Sequence, residues 1–492
     1  MRRAGDVRER VPDPYFPGAW PTARLLVLFM VVNFADKAVL GLAGPEIMDE
    51  LGLTRKQFGS AQAAFFALFS LSAIGVSLLT RRVRSSVLLL AMALTWSAAQ
   101  LPMLWPSAGL GVLIATRVLL GAAEGPAAPV AAHHLYGWFA QRDRTLPTAV
   151  LLIGAAAGVA LAAPVLTWVI AAWGWRWAFG TVGLAGIGWA AVWALRGREG
   201  PLAPPVGAGP LPQRAGPGGE AGGEAAGAGD HGAVAGDDGP PLGRILTSPS
   251  VLAAGFACFA VYWQISAQLT WVPDYLHTAL GWSAGATGLA VAAGSLANAA
   301  VLLTHGLLAR RAGVRGARAG PVPAGAGPGL LMVGAAAAVA AFVVGPPWLK
   351  VAMMCGPMAL CAPMMTVGQT VCARISPAHR RGSVLGVVVG VSSLGGVVSP
   401  VVLGRIVDGA PEAVTGYGRA WLLTALLLAL AGTLAALFLR PERDADRLAV
   451  PPEGIGRSAP RVPDRRPGPP HRRGGEVHGP AHGDQEPPDA AV

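Results

Sequence analysis

Apolar runs of about 20 residues recur along this chain between residues 25 and 439. At ~1.5 Å per residue, each is long enough to cross a ~30 Å hydrocarbon layer. A chain with that repetition has few ways to fold. In lipid every backbone N–H and C=O must be satisfied within the spanning structure, so continuous apolar runs fold as helices. Charge is correspondingly scarce. Of the 492 residues, 13% are charged and 53% apolar, where a soluble chain carries about 25% charged residues. Runs can be placed at 25–44, 59–80, 86–105, 110–132, 147–171 and 177–195. Six more follow at 251–271, 286–308, 330–344, 348–371, 383–406 and 421–439. The pattern predicts an all-α membrane protein with 12 transmembrane helices.

Residues 201–241, between the sixth and seventh runs, are rich in Gly, Ala and Pro and have no apolar periodicity. The expected organisation is therefore a cytoplasmic tail at 1–24 and an N-terminal six-helix bundle at 25–196. A disordered cytoplasmic linker at 197–249, a C-terminal six-helix bundle at 250–440 and a disordered cytoplasmic tail at 441–492 complete it. The basic start resembles a signal peptide, but the first run continues through Asn33, Asp36 and Lys37 and lacks a small-residue cleavage site, which predicts a retained span.

Of the 38 Lys and Arg, Lys37 and Arg117 lie deep inside runs, while Lys350 and Arg405 stand at run ends. Arg55, Lys56, Arg176, Lys350, Arg405 and Arg419 fall on one side of the bundle, and the rest lie in the tails, the linker and the loops of the other side. The positive-inside rule then places both termini in the cytoplasm of a multi-pass cell-membrane protein. It also accounts for the formal net charge of +11 without nucleic acid as a partner. Cys258, Cys355, Cys361 and Cys372 have neither metal-ligand nor disulfide-framework spacing. No Ser/His/Asp set, metal cluster or nucleotide loop has usable spacing, so neither an enzyme nor a cofactor or metal is expected. His133 and His134, at the end of the fourth run, read as solvated loop residues.

The charges inside the runs are the candidate site. Residues 117–129 read RVLLGAAEGPAAP. Arg117 and Glu124 are two helical turns apart, on one face and about 10 Å from each other along the axis. Gly121 and Gly125 between and beside them would let a neighbouring helix approach closely. In the first run Asp36 and Lys37 point about 100° apart, so one can face a cavity while the other faces the fourth helix. An ionisable group at bilayer depth costs roughly 3 kcal/mol on insertion scales and persists only with a partner or a wet cavity. The bland reading is a four-charge structural network that glues helices together.

Two six-span bundles joined by a linker are the architecture of major facilitator transporters, and the motifs carry the resemblance further. Residues 33–66 include Asp36–Lys37, Gly44–Pro45 and Leu51–Gly52–Leu53. They resemble the first hairpin of the anion:cation symporter branch of that superfamily. The fourth run resembles the same branch at Arg117, Gly121, Glu124–Gly125, Pro129, Trp138–Phe139 and Asp143–Arg144. So do Gly174–Trp175–Arg176, the sequence WVPDYL ending at Leu276, and Ser399–Pro400 followed by GRIVD ending at Asp408. Two positions depart from the pattern. The loop after the second run has Thr80 or Arg81 where the branch has Asp, and Lys37 stands where it has Arg.

The resemblance implies two pseudo-symmetric bundles that rock about a site near the midplane. It also implies secondary active, proton-coupled import of a small organic anion, either a sugar acid or an aromatic or aliphatic carboxylate. The expected partners are that anion, protons and the lipid bilayer, with the carrier as a monomer. An anion leaving water needs a fixed cation, which assigns substrate binding to Lys37 and Arg117. Buried carboxyls near cations can load and release protons near neutrality, which assigns proton coupling to Glu124 first and Asp36 second. In the second half the candidates are neutral: Gln264 and Gln268 at i, i+4, Asn298 and Ser393, with Gln369 and Ser392 nearby. Each could instead be a helix–helix hydrogen bond. A drug/proton antiporter is the alternative within the superfamily. It would carry a Gly-Pro motif in the fifth run, where residues 154–164 have glycine spacing but a displaced proline. A non-transporting membrane sensor would need a folded output domain, and the linker and tail are too low in complexity to supply one.

Overall fold

The computed structural model describes residues 16–79, 82–140, 143–203, 240–314, 325–377 and 380–448. The chain ends, most of the expected linker and the loop positions Thr80 and Arg81 lie outside the described residues. Within them the secondary structure is helical. The first half comprises α1 (Ala19–Leu42), α2 (Gly44–Leu51), α3 (Arg55–Leu79), α4 (Ser85–Gln100), α5 (Leu110–Glu124), α6 (Ala127–Tyr136), α7 (Thr145–Trp173) and α8 (Trp175–Arg196). The second comprises α9 (Leu242–Leu246), α10 (Pro249–Asp274), α11 (Ala284–Val314), α12 (Ala326–Val344), α13 (Pro347–Met354), α14 (Pro363–Ile375), α15 (Arg381–Asp408), α16 (Ala413–Phe438) and α17 (Pro441–Arg447). Eleven helical stretches among the described residues are long and apolar enough to cross a membrane. Helix α3 takes the place of the second sequence run. This is a multi-pass membrane protein.

The two halves repeat one packing scheme. In the first half α1 packs on α7 and α4 on α8; in the second α10 packs on α15 and α12 on α16. In the order of the sequence runs these are the same pairings offset by six. Small residues set the approach distances. A methyl group on Gly154 or Gly158 of α7 would overlap backbone of α1 at Val27 and Val31. Gly329 of α12 and Gly432 of α16 meet in the same way. The glycine spacing of the fifth run is thus accounted for by helix packing.

Across the halves, α3 packs on α15 and α7 on α11. The residues in closest approach lie between mid-helix and one end of the bundle. Gly41 meets the Leu269 carbonyl, Gly59 the Pro400 carbonyl, Gly288 the Thr167 side chain, and Gly404 the backbone at Arg55. We call this the far end; the terminal end carries the start of α1 and the end of α16.

Three sequence expectations change. The expected linker and C-terminal tail are partly folded: α9 lies within 197–249, and α17 lies beyond 440. Helix α17 is held because Asp444 accepts a hydrogen bond from the Ser250 amide at 3.0 Å, the first turn of α10. His134 is not a solvated loop residue but is 1% exposed. Its ring lies 5.1 Å from Trp193, and its Nδ1 is 2.8 Å from the Ser85 hydroxyl. Ser85 and Ser86 in turn donate to Glu199 at 2.8 Å, as does the Ser86 amide. Finally, the fourth run is not one continuous helix. It breaks between α5 and α6 at Gly125–Pro126, directly after Glu124.

Candidate functional site

The break after Glu124 follows from its sequence. Pro126 has no N–H to give the Ala122 carbonyl one turn back, so the last regular bond of the helix is the one that the Gly121 carbonyl accepts from the Gly125 amide at 3.1 Å; the same carbonyl accepts from the Ser72 hydroxyl at 3.3 Å. The lack of a side chain at Gly121 and Gly125 brings α5 against the backbone of α3 at Phe65 and Phe69. Glu124 is therefore the last residue of a helix wedged between α3 and α4. From the far end of α5, Arg117 and Glu124 lie roughly 10 and 21 Å deep.

Helix α1 supplies the opposite charges. Lys37 Nζ is 2.7 Å from Glu124 Oε2, with side-chain exposures of 11% and 0%. The same ammonium donates to Asn33 Oδ1 at 2.6 Å, one turn earlier on α1. It also sits 4.3 Å from the centre of the Phe34 ring and 5.9 Å from that of Phe69. Asp36 is 0% exposed, and its carboxyl group lies within hydrogen-bond reach of the Glu124 carboxyl group. It lies within electrostatic range of Glu124, Arg117 and Lys37. Arg117 is 2% exposed. It donates to Gln100 Oε1 at 2.9 Å and lies 5.2 Å from the centre of the Phe179 ring. Two buried carboxyls and two cations thus share one formally neutral cluster, with Lys37 its most exposed member.

The fold brings together the four residues singled out in the first half. It adds Asn33, Gln100 and Phe34, which sequence reasoning missed. Asn33 was findable, since it stands at i − 4 from Lys37; Gln100 comes from another helix and left no local signal. The second-half candidates are scattered. Gln264 is 1% exposed with both amide atoms unpaired, whereas Gln268 is half-buried and Asn298 exposed. Ser393 donates to the Gly390 carbonyl of its own helix at 2.7 Å, and Ser392 to the Gly255 carbonyl of α10 at 2.9 Å. The two serines are occupied in holding backbone. Among the described residues no group of His, Cys, Asp and Glu could hold a metal ion.

Comparison with known proteins agrees with this architecture. The sequence profile described as Major Facilitator Superfamily matches residues 26–360. Among curated proteins, a D-galactonate transporter of Escherichia coli O6:H1 is 30% identical over 179 residues, 36% of this chain and 41% of that one. A hexuronate transporter of Bacillus subtilis is 25% identical over 291 residues, 55% and 62% of the two chains. A probable sulfoacetate transporter of Cupriavidus necator is 24% identical over 268 residues, 54% and 59%. The chain thus spans about two-fifths to three-fifths of the length of these relatives. Among solved structures, a bacterial homologue of the human lysosomal transporter Spinster, inward-facing and unoccupied, has a TM-score of 0.67 at 17% identity. The match covers 88% of this chain and 98% of that one. A D-xylose–proton symporter has a TM-score of 0.65 at 14% identity, covering 87% and 99%.

Proposed function

We propose a function from one premise: this chain belongs to the Major Facilitator Superfamily. On that premise it is a secondary transporter that carries a small organic anion together with a proton, by alternating access. The relatives named for galactonate, hexuronate and sulfoacetate support an anionic substrate bearing carboxylate or sulfonate. The concentration of loop Lys and Arg at the terminal end supports an orientation with that end in the cytoplasm of a cell-membrane protein.

The observation that carries the reading is the Lys37–Glu124 ion pair. An anion entering from open space meets Lys37, whose charge is already committed to Glu124. The two carboxylates compete for one ammonium. A proton on Glu124 removes the competitor and frees Lys37, so proton and anion favour each other's binding; in linkage terms that is the condition for symport. A cationic substrate would instead compete with the proton for Glu124 and produce antiport. The pair thus favours anion symport over drug/proton exchange. Arg117, held by Gln100, offsets Asp36 behind the pair and keeps the cluster neutral while Lys37 changes partners. In the second half, Gln264 and Gln268 of α10 are assigned to the substrate's uncharged end.

Proteoliposomes test this. Glu124→Gln mimics the protonated state, so galactonate or glucuronate binding and counterflow exchange are expected to persist while proton-driven accumulation is lost. Full proton-driven uptake by the Glu124→Gln protein would move the coupling role to Asp36. If neither variant nor parent takes up any anion in a carboxylate and sulfonate panel, the substrate class is wrong.

A further inference from the structure

The far-end seam carries a second buried charge pair, separate from the Lys37–Glu124 cluster and contributed by both halves. Arg55, the first residue of α3, donates through Nε to Asp274 Oδ2 at 2.8 Å and to the Tyr417 hydroxyl at 3.4 Å. Asp274 ends α10, and its side chain is 0% exposed against 25% for Arg55. The Tyr417 hydroxyl of α16 donates to the same carboxylate oxygen, and the Thr278 hydroxyl lies 3.1 Å from the other. Arg55 reaches Thr278 as well, at 3.5 Å.

The backbone at the same place is tied across the seam. The amides of Arg55 and Lys56 donate to Asp408 Oδ1 and Oδ2 at 3.1 and 2.8 Å. Asp408 is the last residue of α15. A carboxylate there opposes the dipole of its own helix, and its position makes sense as an anion on the first-turn N–H groups of α3. Yet α3 does not need Asp408 to begin. Thr54 and Gln57 already form a reciprocal cap, with the Gln57 amide donating to Thr54 Oγ1 at 3.2 Å and the Thr54 amide to Gln57 Oε1 at 2.9 Å. The bonds from Asp274 and Asp408 therefore tie the halves together over and above what starting the helix requires.

We infer that Arg55, Asp274 and Asp408 form a charge latch that holds the far end shut and sets how often the protein opens there. Tyr417 and Thr278 belong to the same half as Asp274, so they stay with it when the halves part, whereas Arg55 leaves. Parting therefore breaks the Arg55–Asp274 pair and the bonds from the Arg55 and Lys56 amides to Asp408, while the Asp274 carboxylate keeps the Tyr417 hydroxyl as a neutral partner in the open state. That makes the opening reversible instead of stranding a bare buried charge.

The inference rests on the alternating-access reading, but its test needs no substrate. Thr287 is 4% exposed and lines a cavity of about 10 Å³ at the same seam, between Leu42, Pro45 and Thr167 of one half and Pro273 and His277 of the other. The full chain carries Thr287→Cys in a Cys355→Ser background, since Cys258, Cys361 and Cys372 are buried. In detergent micelles both ends meet a polar maleimide. Labelling of the parent is expected to be slow. Arg55→Gln and Asp274→Asn are each expected to raise the rate about tenfold, and the exchange Arg55→Asp with Asp274→Arg to return it toward the parent value. Arg55→Gln leaves Asp274 its Tyr417 partner and so tests the latch even if Asp274→Asn fails to fold. Unchanged labelling in a monodisperse Arg55→Gln protein overturns the inference, as does a charge exchange that labels as fast as the single variants. If labelling behaves as expected while no anion is transported, the latch stands and the substrate reading fails.

Discussion

Three groups contend for the Lys37 ammonium: Glu124 at 2.7 Å, Asn33 at 2.6 Å, and the face of the Phe34 ring. Glu124 is the partner that a proton can remove. Asn33 is the fixed one, and it determines where the charge sits when Glu124 lets go. A hydrogen bond to a charged group contributes about 1.5–3 kcal/mol. Asn33→Ala is therefore expected to raise the KM for the anion by about ten- to a hundredfold, read from an uptake titration. Turnover at saturating substrate should change much less. The positions of Asp36, Lys37, Arg117 and Glu124 were legible in the sequence because charge is conspicuous against an apolar background. Arg55 was legible only as a basic residue near a helix end. Its partner Asp274 lies 219 positions away, and no local pattern announces a pair at that separation.

At the level of elements, helix existence followed from apolar runs, and helix ends did not. The chain breaks at Gly125–Pro126 because a residue without a side chain is followed by one without an N–H, although the surrounding Ala and Val sustain the apolar run. His134 looked like loop because composition turns polar there. In the fold the residues after α8 come back over it, with the Leu202 amide donating to the Gly137 carbonyl at 2.9 Å. That return brings Glu199 to the N-terminus of α4. Burial works to raise the Glu199 pKa, but hydrogen bonds from the Ser86 amide and the Ser85 and Ser86 hydroxyls, with His134 nearby, outweigh it and hold the carboxyl below its ordinary value. A group with a lowered folded-state pKa stabilises the fold above its unfolded value and loses that contribution as pH falls through the folded value. The melting temperature in detergent is therefore expected to decline as pH drops below about 4.3. Glu199→Gln should flatten that part of the profile and leave neutral-pH transport nearly intact.

For the whole molecule, the repeat and the membrane class were readable from run lengths and the central Gly/Ala/Pro stretch. Which helices meet across the seam was not, because lipid-facing and seam-facing residues in this chain are both apolar and differ only in size. The formal neutrality of the Asp36–Lys37–Arg117–Glu124 cluster has an electrical consequence. On the proposed symport, one monovalent anion and one proton leave the loaded site neutral, so neither the empty nor the loaded carrier would move net charge. Membrane voltage, worth about 2.3 kcal/mol per charge per 100 mV, then has nothing to act on. Uptake into vesicles clamped at different potassium diffusion potentials should be the same at fixed pH gradient. A rate that climbs as the interior is made negative would mean that a second proton travels with each anion.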